Sequence, residues 1–581
     1  MAFDPILNLA DLDGLNGFRI DGVAAFYFSG DSVSSAGDIN GDGIDDLIIG
    51  APGADPNGRT SGSSYVVFGS GGGFSSTLNL STLTGLNGFR LDGAAAFDNS
   101  GGSVSSAGDI NGDGFDDLII GAGGADPNGF ESGSSYVVFG SGSGFSSTLN
   151  LSTLNGINGF RIDGAAGDGS GNSVSSAGDI NGDGIDDLII GASGAEHNGD
   201  ISGSSYVVFG SGGGFSSTLN LSTLTGLNGF RLDGAAARDG SGGSVSSAGD
   251  INGDGIDDLI IGALFANPNG NYSGSSYVVF GSGSGFSSTL DLSTLTGLNG
   301  FRIDGAAARD LSGGSVSSAG DINGDGIDDL IIGAHLADTN GSASGSSYVV
   351  FGSGGGFTST LNLSTLNGLN GFRIDGVAAF DYSGGSVSSA GDINGDGFDD
   401  LIIGASSANP NGPSSGSSYV VFGSGSGFSS TLNLSTLNGL NGFRIDGVAA
   451  DDGSGGPVSS AGDINGDGID DLIIGASSAG PNGSSSGSSY VVFGRANQVP
   501  VAPFWPDLGG GTTGRTVLGN NAQNLLRGSL NNGTLFGVGN GDALYSLQGN
   551  DVIISGGGND LAIGIAVTWL VLYEAIRRSL S

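Results

Sequence analysis

The chain has 581 residues, of which 121 are Gly and none is Cys, and 58 acidic residues against 15 basic ones give a formal net charge of −43. No disulfide can form, and nucleic acid is a poor partner because phosphate would meet a surface of its own sign. Abundant Gly, Ser, Asn, Val and Ile indicate a turn-dense all-β protein.

One nine-residue stretch, Asp38-Ile-Asn-Gly-Asp-Gly-Ile-Asp-Asp46, recurs through most of the chain with only Ile or Phe at its seventh place. Its further copies begin at Asp109, Asp179, Asp250, Asp321, Asp392 and Asp463. A fixed spacing of 70 or 71 residues indicates one repeat array rather than several unrelated domains.

Each repeat contains four short strand patterns separated by Gly, Asn and Ser clusters. In the first repeat they are residues 32–37, 46–51, 64–69 and 87–93. The second and third are continuously apolar, as expected for strands covered on both faces. The fourth alternates apolar residues with Arg90, which favours an outer edge where a charge discourages further pairing.

Four-stranded units repeated radially form a β-propeller. Residues 16–22 match a fourth strand before any first strand, whereas the last repeat stops after its third strand, at residues 489–494. The sequence therefore predicts a seven-bladed β-propeller of four-stranded antiparallel blades, over residues 1–495, whose N-terminal strand closes the last blade.

An antiparallel blade places the 1–2 and 3–4 connections on one face and the 2–3 and 4–1 connections on the other. The first pair is nearly constant among the repeats. The second pair varies, with residues such as Phe26, Tyr272, Arg238, Arg309 and Phe380. We therefore expect one fixed face, and one face of differing loops that could anchor a ligand.

The acidic loop offers the hard oxygen ligands that Ca²⁺ requires, and Gly41 and Gly43 permit a tight reversal. Its eighth residue, Asp45, is expected to point away into solvent. We predict one structural Ca²⁺ in each of the seven loops, about seven in total. The predicted ligands are side chains at positions 1, 3, 5 and 9 and the carbonyl at position 7: Asp38, Asn40, Asp42, Ile44, Asp46; Asp109, Asn111, Asp113, Phe115, Asp117; Asp179, Asn181, Asp183, Ile185, Asp187; Asp250, Asn252, Asp254, Ile256, Asp258; Asp321, Asn323, Asp325, Ile327, Asp329; Asp392, Asn394, Asp396, Phe398, Asp400; and Asp463, Asn465, Asp467, Ile469, Asp471.

Three other interpretations of the loop are disfavoured. An EF-hand needs Glu at position 12 and helical flanks, but Ile49 stands there between strand-like segments. Mg²⁺ usually keeps its waters and is seldom enclosed by protein oxygens alone. An acidic turn without an ion would suit one copy better than seven matching sets.

The C-terminal region has a different pattern. A Pro-rich linker is predicted at 496–514, and nonapeptide-like turns that would bind further Ca²⁺ at 515–564, where Asp542, Asp551 and Asp560 are nine residues apart. The alternative is a Gly/Asn-rich tail without ions. A short helix is predicted at 565–581, too short to span a membrane.

The acidic loop followed by Leu-Ile-Ile-Gly-Ala and Tyr-Val-Val-Phe-Gly, over about residues 6 to 494, resembles the FG-GAP repeat of integrin α-subunit propellers. The resemblance implies a seven-bladed propeller with calcium on the lower face and ligand contacts on the upper face. Integrins carry the loop in only some blades, so ligand identity cannot be transferred. The tail is similar to RTX proteins, which implies type I secretion.

These features favour a secreted or cell-surface calcium-binding adhesion module, a monomeric propeller that binds an extracellular protein or glycan. The start lacks a secretory signal pattern, and no apolar run is long enough for a transmembrane segment. A surface-layer or matrix component without a discrete ligand is the alternative. A lyase or hydrolase is disfavoured, because only His197 and His335 exist, in non-adjacent repeats, and Cys and Lys are absent.

Overall fold

The computed structural model describes residues 3–496 continuously and, after them, seven short strands between residues 516 and 572. Contacts between residues divide it into two compact units, Phe3–Ala496 and Asn497–Ser581 with Met1–Ala2. The larger unit holds every copy of the acidic loop.

The larger unit consists of short strands joined by turns and single-turn 3₁₀ segments. Its strands are β1 (Ile6–Asn8), β2 (Gly17–Asp21), β3 (Val33–Gly37), β4 (Asp46–Ala51), β5 (Ser63–Val67), β6 (Thr77–Asn79), β7 (Gly88–Asp92), β8 (Ser103–Gly108), β9 (Asp117–Ala122), β10 (Ser134–Val138), β11 (Thr148–Asn150), β12 (Gly159–Asp163), β13 (Ser173–Gly178), β14 (Asp187–Ala192), β15 (Ser204–Val208), β16 (Thr218–Asn220), β17 (Gly229–Asp233), β18 (Ser244–Gly249), β19 (Asp258–Ala263), β20 (Ser275–Val279), β21 (Thr289–Asp291), β22 (Gly300–Asp304), β23 (Ser315–Gly320), β24 (Asp329–Ala334), β25 (Ser346–Val350), β26 (Thr360–Asn362), β27 (Gly371–Asp375), β28 (Ser386–Gly391), β29 (Asp400–Ala405), β30 (Ser417–Val421), β31 (Thr431–Asn433), β32 (Gly442–Asp446), β33 (Val458–Gly462), β34 (Asp471–Ala476) and β35 (Ser488–Val492). The 3₁₀ segments are Leu9–Asp11, Leu80–Thr82, Leu151–Thr153, Leu221–Thr223, Leu292–Thr294, Leu363–Thr365 and Leu434–Thr436.

These strands form seven sheets, which are the seven blades of a β-propeller. From the inner strand outward, blades 1 to 7 are β3-β4-β5-β7-β11, β8-β9-β10-β12-β16, β13-β14-β15-β17-β21, β18-β19-β20-β22-β26, β23-β24-β25-β27-β31, β28-β29-β30-β32-β1 and β33-β34-β35-β2-β6. The predicted all-β seven-bladed fold is confirmed.

The predicted blade of four strands was wrong, because each blade has a fifth strand supplied by the following repeat. In blade 1, β11 pairs parallel with β7, so that Thr148 lies opposite Arg90. Arg90 does not protect this edge, since its guanidinium is paired with Asp92 of the same strand at 2.6 Å. Phe145, just before β11, stacks on the buried Phe89 with ring centroids 4.3 Å apart. Each blade is thereby fastened to its neighbour.

The N-terminal segment closes the ring, as the sequence predicts. β2 pairs antiparallel with β35, placing Gly17 opposite Val492, and supplies the fourth strand of blade 7. β1 additionally pairs parallel with β32 and supplies the fifth strand of blade 6. Residues from the beginning of the chain therefore complete two blades.

The hydrophobic core lies between neighbouring blades. One cluster joins Ile48 and Phe89 of blade 1 to Leu118, Ile120 and Tyr136 of blade 2. All residues of β4 and β5 are buried, because each sheet is covered on both faces. This sheet-on-sheet packing fixes the strand that follows each acidic loop, which is β4 in blade 1.

The second unit contains β36 (Thr516–Leu518), β37 (Leu525–Arg527), β38 (Thr534–Phe536), β39 (Ala543–Ser546), β40 (Asp551–Ser555), β41 (Leu561–Gly564) and β42 (Val567–Leu572). Successive strands alternate between two parallel sheets, β36-β38-β40-β42 and β37-β39-β41. The RTX resemblance of this segment stays a prediction. The predicted linker lies outside the described residues except for Ala496.

The C-terminal helix predicted at 565–581 was wrong over Val567–Leu572, which form β42 and pair parallel with β40. β-branched and aromatic residues, Val567, Thr568, Trp569 and Val571, favour a strand over a helix. The other residues of the predicted helix lie outside the described part of the chain. Among the described residues, no helix has the length and apolar character of a membrane span.

Candidate functional site

The two faces of the propeller carry different connections. The backbone N–H of Ser141, in a 3–4 segment, donates to the carbonyl of Ile39, in the acidic loop of the neighbouring blade, at 2.8 Å. On the opposite face, Gly62 of a 2–3 turn forms a β-bridge with Ser100 of a 4–1 turn. We call the face with the 1–2 and 3–4 connections the acidic face, and the face with the 2–3 and 4–1 turns the variable face. The connections are divided between the two faces as the sequence predicts.

Each acidic loop is folded around its first carboxylate. In blade 1, Asp38 Oδ1 accepts hydrogen bonds from the backbone N–H groups of Gly41 and Asp42 at 2.7 and 2.9 Å, and Oδ2 accepts from Gly43 at 2.8 Å. Gly41 and Gly43 have φ of 75° and 86°, a backbone conformation that residues with a side chain rarely adopt. The loop is therefore tight because a carboxylate collects its backbone donors.

The last carboxylate of the loop is buried beneath it. Asn40 Nδ2 donates to both carboxylate oxygens of Asp46 at 3.2 and 3.0 Å, and the Gly69 N–H donates to Asp46 Oδ1 at 2.8 Å. Burial raises the pKa of Asp46 to about 8, although the Gly69 hydrogen bond opposes the shift. Burial likewise raises the pKa of the equivalent carboxyls, Asp117, Asp187, Asp258, Asp329, Asp400 and Asp471.

The predicted ligands lie together in each loop, but their carboxylates do not converge on one point. Within the described part of the chain, no group of three or more His, Cys, Asp or Glu side chains is arranged to hold a metal ion. Asp38 faces backbone N–H groups and Asp46 faces Asn40. The loops are thus built as hydrogen-bonded turns with an excess of carboxylate oxygen.

The residue types of the loops nevertheless fit a calcium ion. Three carboxylates, one amide oxygen and one carbonyl per loop form a hard oxygen donor set. In blade 6, Asn394 is fully buried and its Oδ1 has no hydrogen-bond partner. A buried acceptor without a donor is costly, and a cation would satisfy it.

The eighth residue of the loop has a role that the sequence analysis missed. The expectation that Asp45 points into solvent was wrong: its Oδ2 accepts a hydrogen bond from the backbone N–H of Asp463 in blade 7, at 2.8 Å. Every blade repeats this contact, with Asp116 bound to the N–H of Asp38, Asp186 to Asp109, Asp257 to Asp179, Asp328 to Asp250, Asp399 to Asp321 and Asp470 to Asp392. Seven interblade hydrogen bonds therefore form a closed ring on the acidic face.

A glycine makes room for each of these contacts. Gly37, with φ of 61°, lies where a Cβ would stand 2.3 Å from Asp116 Oδ2. The signal available in the sequence was that the eighth residue is Asp in all seven loops. Sequence spacing gave no partner for it, because the donor belongs to another repeat.

The variable face projects side chains from strained turns. Phe26, Phe97 and Phe380 occupy one position of the 4–1 turn, with φ of 65°, 70° and 66° and exposures of 60%, 59% and 56%. Arg238 and Arg309 occupy the same position in blades 3 and 4. A bulky residue at positive φ is unfavourable, and none of these side chains belongs to the buried core, so core packing does not account for them.

These turns are fixed by backbone hydrogen bonds to the facing 2–3 turns. The N–H of Phe97 donates to the carbonyl of Arg59, and that of Phe380 to the carbonyl of Ser342, both at 2.8 Å. Phe130 and Tyr272 of the 2–3 turns are 75% and 52% exposed. The variable face thus presents aromatic side chains on a well-held backbone.

The FG-GAP repeat family matches seven segments of the chain: residues 29–67, 100–138, 170–208, 241–279, 312–350, 383–421 and 455–492. Each segment runs from the 4–1 turn through the third strand of a blade and contains one acidic loop. The chain is an FG-GAP repeat β-propeller.

Two relatives are integrin α-subunits. Integrin alpha-5 of Xenopus laevis is 38% identical over 122 residues, which are 20% of this chain and 10% of the relative. Integrin alpha pat-2 of Caenorhabditis elegans is 29% identical over 253 residues, which are 41% of this chain and 18% of the relative. The FG-GAP propeller thus resembles integrin α propellers, while the matches span less than a fifth of either relative.

The histidines of this FG-GAP propeller do not form a catalytic arrangement in the described structure. Ser204 Oγ lies 3.3 Å from His197 Nδ1, and Asp233 Oδ1 lies 4.0 Å from the same nitrogen. A base that relays a proton needs its two partners on different ring nitrogens. His335 is in blade 5, where burial lowers its pKa.

Proposed function

We propose that this FG-GAP propeller is a secreted or cell-surface adhesion module whose variable face binds an extracellular protein or glycan. The main support for this proposal is that Phe26, Phe97 and Phe380 are exposed and have a left-handed backbone conformation. These side chains make the turns less favourable and contribute no core contacts, so their use is outside the fold. The integrin relatives support an interaction role for such a propeller.

The variable face is suited to recognition because its turns are already ordered. Aromatic side chains add large contact areas with few rotatable bonds, and they are frequent anchors of interfaces. Arg309 and Arg59 have no carboxylate within 4 Å among the described residues, whereas Arg238 is paired with Asp200 at 3.0 Å. These two guanidiniums can donate hydrogen bonds to carboxylate or carbonyl oxygens of a ligand.

We further propose that each acidic loop binds a structural Ca²⁺ through the predicted ligands at positions 1, 3, 5, 7 and 9. The ion would offset repulsion among three carboxylates. Two unit charges at 4 Å repel by roughly 4 kcal/mol at an effective dielectric of 20. In this proposal Asp38 keeps its backbone donors, and Asn40 holds the buried Asp46 in place.

A binding screen tests the variable face. The full chain is applied to arrays of extracellular glycans and matrix proteins, and any ligand is titrated again with the triple variant Phe26→Ser, Phe97→Ser and Phe380→Ser. Loss of at least about tenfold in affinity is expected if these rings are anchors. The matched control is Leu86→Ser, Leu227→Ser and Leu298→Ser, three exposed side chains on the other face.

Calorimetric titration of the metal-free chain with Ca²⁺ tests the loops. Replacing Asp113 by Asn should remove one binding event and leave the others, because Asp113 belongs to a single loop. Asp126→Asn, in a 2–3 turn of the same blade, is the control and should leave the ion count unchanged. The absence of any heat of binding would contradict this part of the proposal. The same number of bound ions in the Asp113→Asn variant and the wild type would also contradict it.

The near identity of the blades favours a second candidate, a surface-layer or matrix component without a discrete ligand. The core strands are nearly the same in every repeat, as expected for a building unit. A screen without ligands, together with ordered assembly of the full chain in Ca²⁺, would support this candidate over the first.

Export through the C-terminal unit is a separate proposal. It predicts that a chain ending at Arg495 stays inside the producing cell while the full chain reaches the medium. Normal export of the shortened chain would remove the proposed role of the tail.

A further inference from the structure

Seven highly exposed apolar side chains project from the acidic face, one in each blade. They lie in the turn that leads into the fourth strand, and we call them the apolar tips. Their exposures are 88% for Leu15, 91% for Leu86, 87% for Ile157, 91% for Leu227, 91% for Leu298, 90% for Leu369 and 75% for Leu440.

Folding does not explain the apolar character of these positions. The turn is held by its backbone and an amide: the Gly85 N–H donates to Gly88 O at 2.8 Å, and the Thr84 N–H donates to Asn87 Oδ1 at 3.0 Å. The position of Thr84 varies among Asp, Asn and Thr, as is usual for an exposed turn. The tip instead remains Leu or Ile in all seven copies.

The apolar tips lie beside the acidic loops. A cavity of about 650 Å³ is lined by both Leu440 and Asp396, which is the fifth residue of an acidic loop. A second cavity of about 270 Å³ is bordered by Leu298 and by Ser282, whose N–H donates to Ile180 of the neighbouring acidic loop. Because the blades are equivalent, the seven tips form a ring at one level around this face.

We propose that the apolar tips dock the acidic face on a zwitterionic phosphocholine bilayer surface. Separate tips at one level can all be buried together only by a partner that is flat and continuous on the scale of the propeller. Shallow insertion of apolar side chains among lipid headgroups has this geometry. The turns are already ordered, so insertion requires little reorganisation.

Charge determines which flat surface fits. The chain carries a net charge of −43, and each acidic loop has four Asp, so this face remains negative even when every loop holds one Ca²⁺. Choline groups are the outermost charges of a phosphocholine surface and are positive, so they complement the carboxylates. A second copy of the chain, docked face to face, would bring like charges together. An anionic bilayer would be repelled in the same way.

Vesicle sedimentation tests the proposal. The full chain, kept in Ca²⁺, is mixed with phosphatidylcholine vesicles, and the bound fraction is compared with that of the variant Leu86→Ser, Leu227→Ser, Leu298→Ser and Leu369→Ser. Partitioning should fall by at least about tenfold, because each substitution removes apolar area from the contact. The matched control, Phe26→Ser, Phe97→Ser, Phe130→Ser and Phe380→Ser on the variable face, should bind as wild type.

A fluorescent probe supplies a second measurement. Since the chain has no Cys, Leu298→Cys creates a single thiol that can carry an environment-sensitive dye. Vesicles should shift its emission to the blue, whereas a dye at Phe97→Cys on the variable face should not respond.

Several results would overturn the proposal. These are wild-type protein that does not sediment with phosphatidylcholine vesicles, and sedimentation that is unchanged by the four Leu substitutions. Stronger binding to phosphatidylserine vesicles than to phosphatidylcholine vesicles, unchanged by the four Leu substitutions, would mean that bridging cations and not the apolar tips hold the protein on the membrane. A dimer that forms without vesicles and is lost in the Leu variant would assign the tips to contact between copies of the chain.

Discussion

The acidic and variable faces use the same left-handed backbone conformation with opposite choices of residue. On the acidic face, Gly37, Gly41 and Gly43 adopt it at φ of 61° to 86°. On the variable face, Phe97 and Arg309 adopt it at 70° and 72°. Glycine takes this conformation without strain, whereas Phe and Arg do not. The acidic face is therefore optimised for folding, and the variable face carries side chains that oppose it.

Calcium removal should separate the two faces most strongly. If each loop binds an ion at a concentration of 100 Kd, each contributes roughly 2.7 kcal/mol, and seven such sites should lower Tm by at least about 10 °C when a chelator is added. Thermal unfolding followed by circular dichroism, with and without chelator, measures this. The Phe26→Ser, Phe97→Ser and Phe380→Ser variant should show the same chelator effect as wild type. An unchanged midpoint would contradict a structural ion.

The interblade ring of the acidic face should be the next largest contributor. Asp116→Ala leaves the Asp38 N–H without the acceptor that lies 2.7 Å away, and we expect a loss of about 1–3 kcal/mol in the free energy of unfolding. Asp116→Asn keeps an acceptor and should lose less. Asp451→Asn, in an exposed turn of the variable face that already has positive φ, should change stability by less than about 0.5 kcal/mol. Denaturant unfolding compares the three, and equal values for the Ala variant and wild type would contradict a stabilising ring.

Features that repeat within one blade could be predicted from the sequence. The continuously apolar pattern placed β4 at residues 46–51, where the structure has it, and the pattern of the third strand was displaced from β5 by a residue or two. The extra fourth strand at residues 16–22 predicted the closure of blade 7 by β2. These inferences succeed because hydrophobic periodicity and turn residues are local signals.

Features that join different repeats were missed. The fifth strand has only three residues, Thr-Leu-Asn in β11, which are too few for a strand pattern, and it belongs to the sheet of the preceding blade. Asp45 looked solvated because its donor, the N–H of Asp463, is 418 residues away in the chain. Ca²⁺ sites were predicted from residue types alone, and that prediction is still open.

A pair of substitutions tests the residue choice on the two faces directly. Gly43→Ala places a Cβ in open space at φ of 86°, so only backbone strain opposes it, and we expect a loss of about 1 kcal/mol. Phe97→Asn replaces a strained ring at φ of 70° by a residue that tolerates this conformation, and we expect a gain of up to about 1 kcal/mol.

Denaturant unfolding of the two single variants measures both effects. Opposite signs would show that the variable face retains side chains at the expense of stability. Destabilisation by Phe97→Asn would instead mean that the exposed ring contributes to folding, and the argument for an anchor would lose its basis.

A buried carboxyl of the variable face should produce the smallest effect, visible only in the pH dependence. Burial raises the pKa of Asp310 to about 6, above its ordinary value of 3.8. Between these values the unfolded chain releases the proton and the folded chain keeps it, so stability falls as pH rises from about 4 to about 6 and then levels off. Asp310→Asn should remove this part of the slope, which linkage limits to about 3 kcal/mol and which screening by solvent at the rim of the turn reduces to on the order of 1 kcal/mol. Tyr27 holds the equivalent position before blade 1, so the fold does not require a carboxyl there. If the free energy of unfolding depends on pH in the same way in the two proteins, Asp310 does not titrate in this range. The positive φ of the neighbouring Arg309 would then be the unusual feature of that turn that is left.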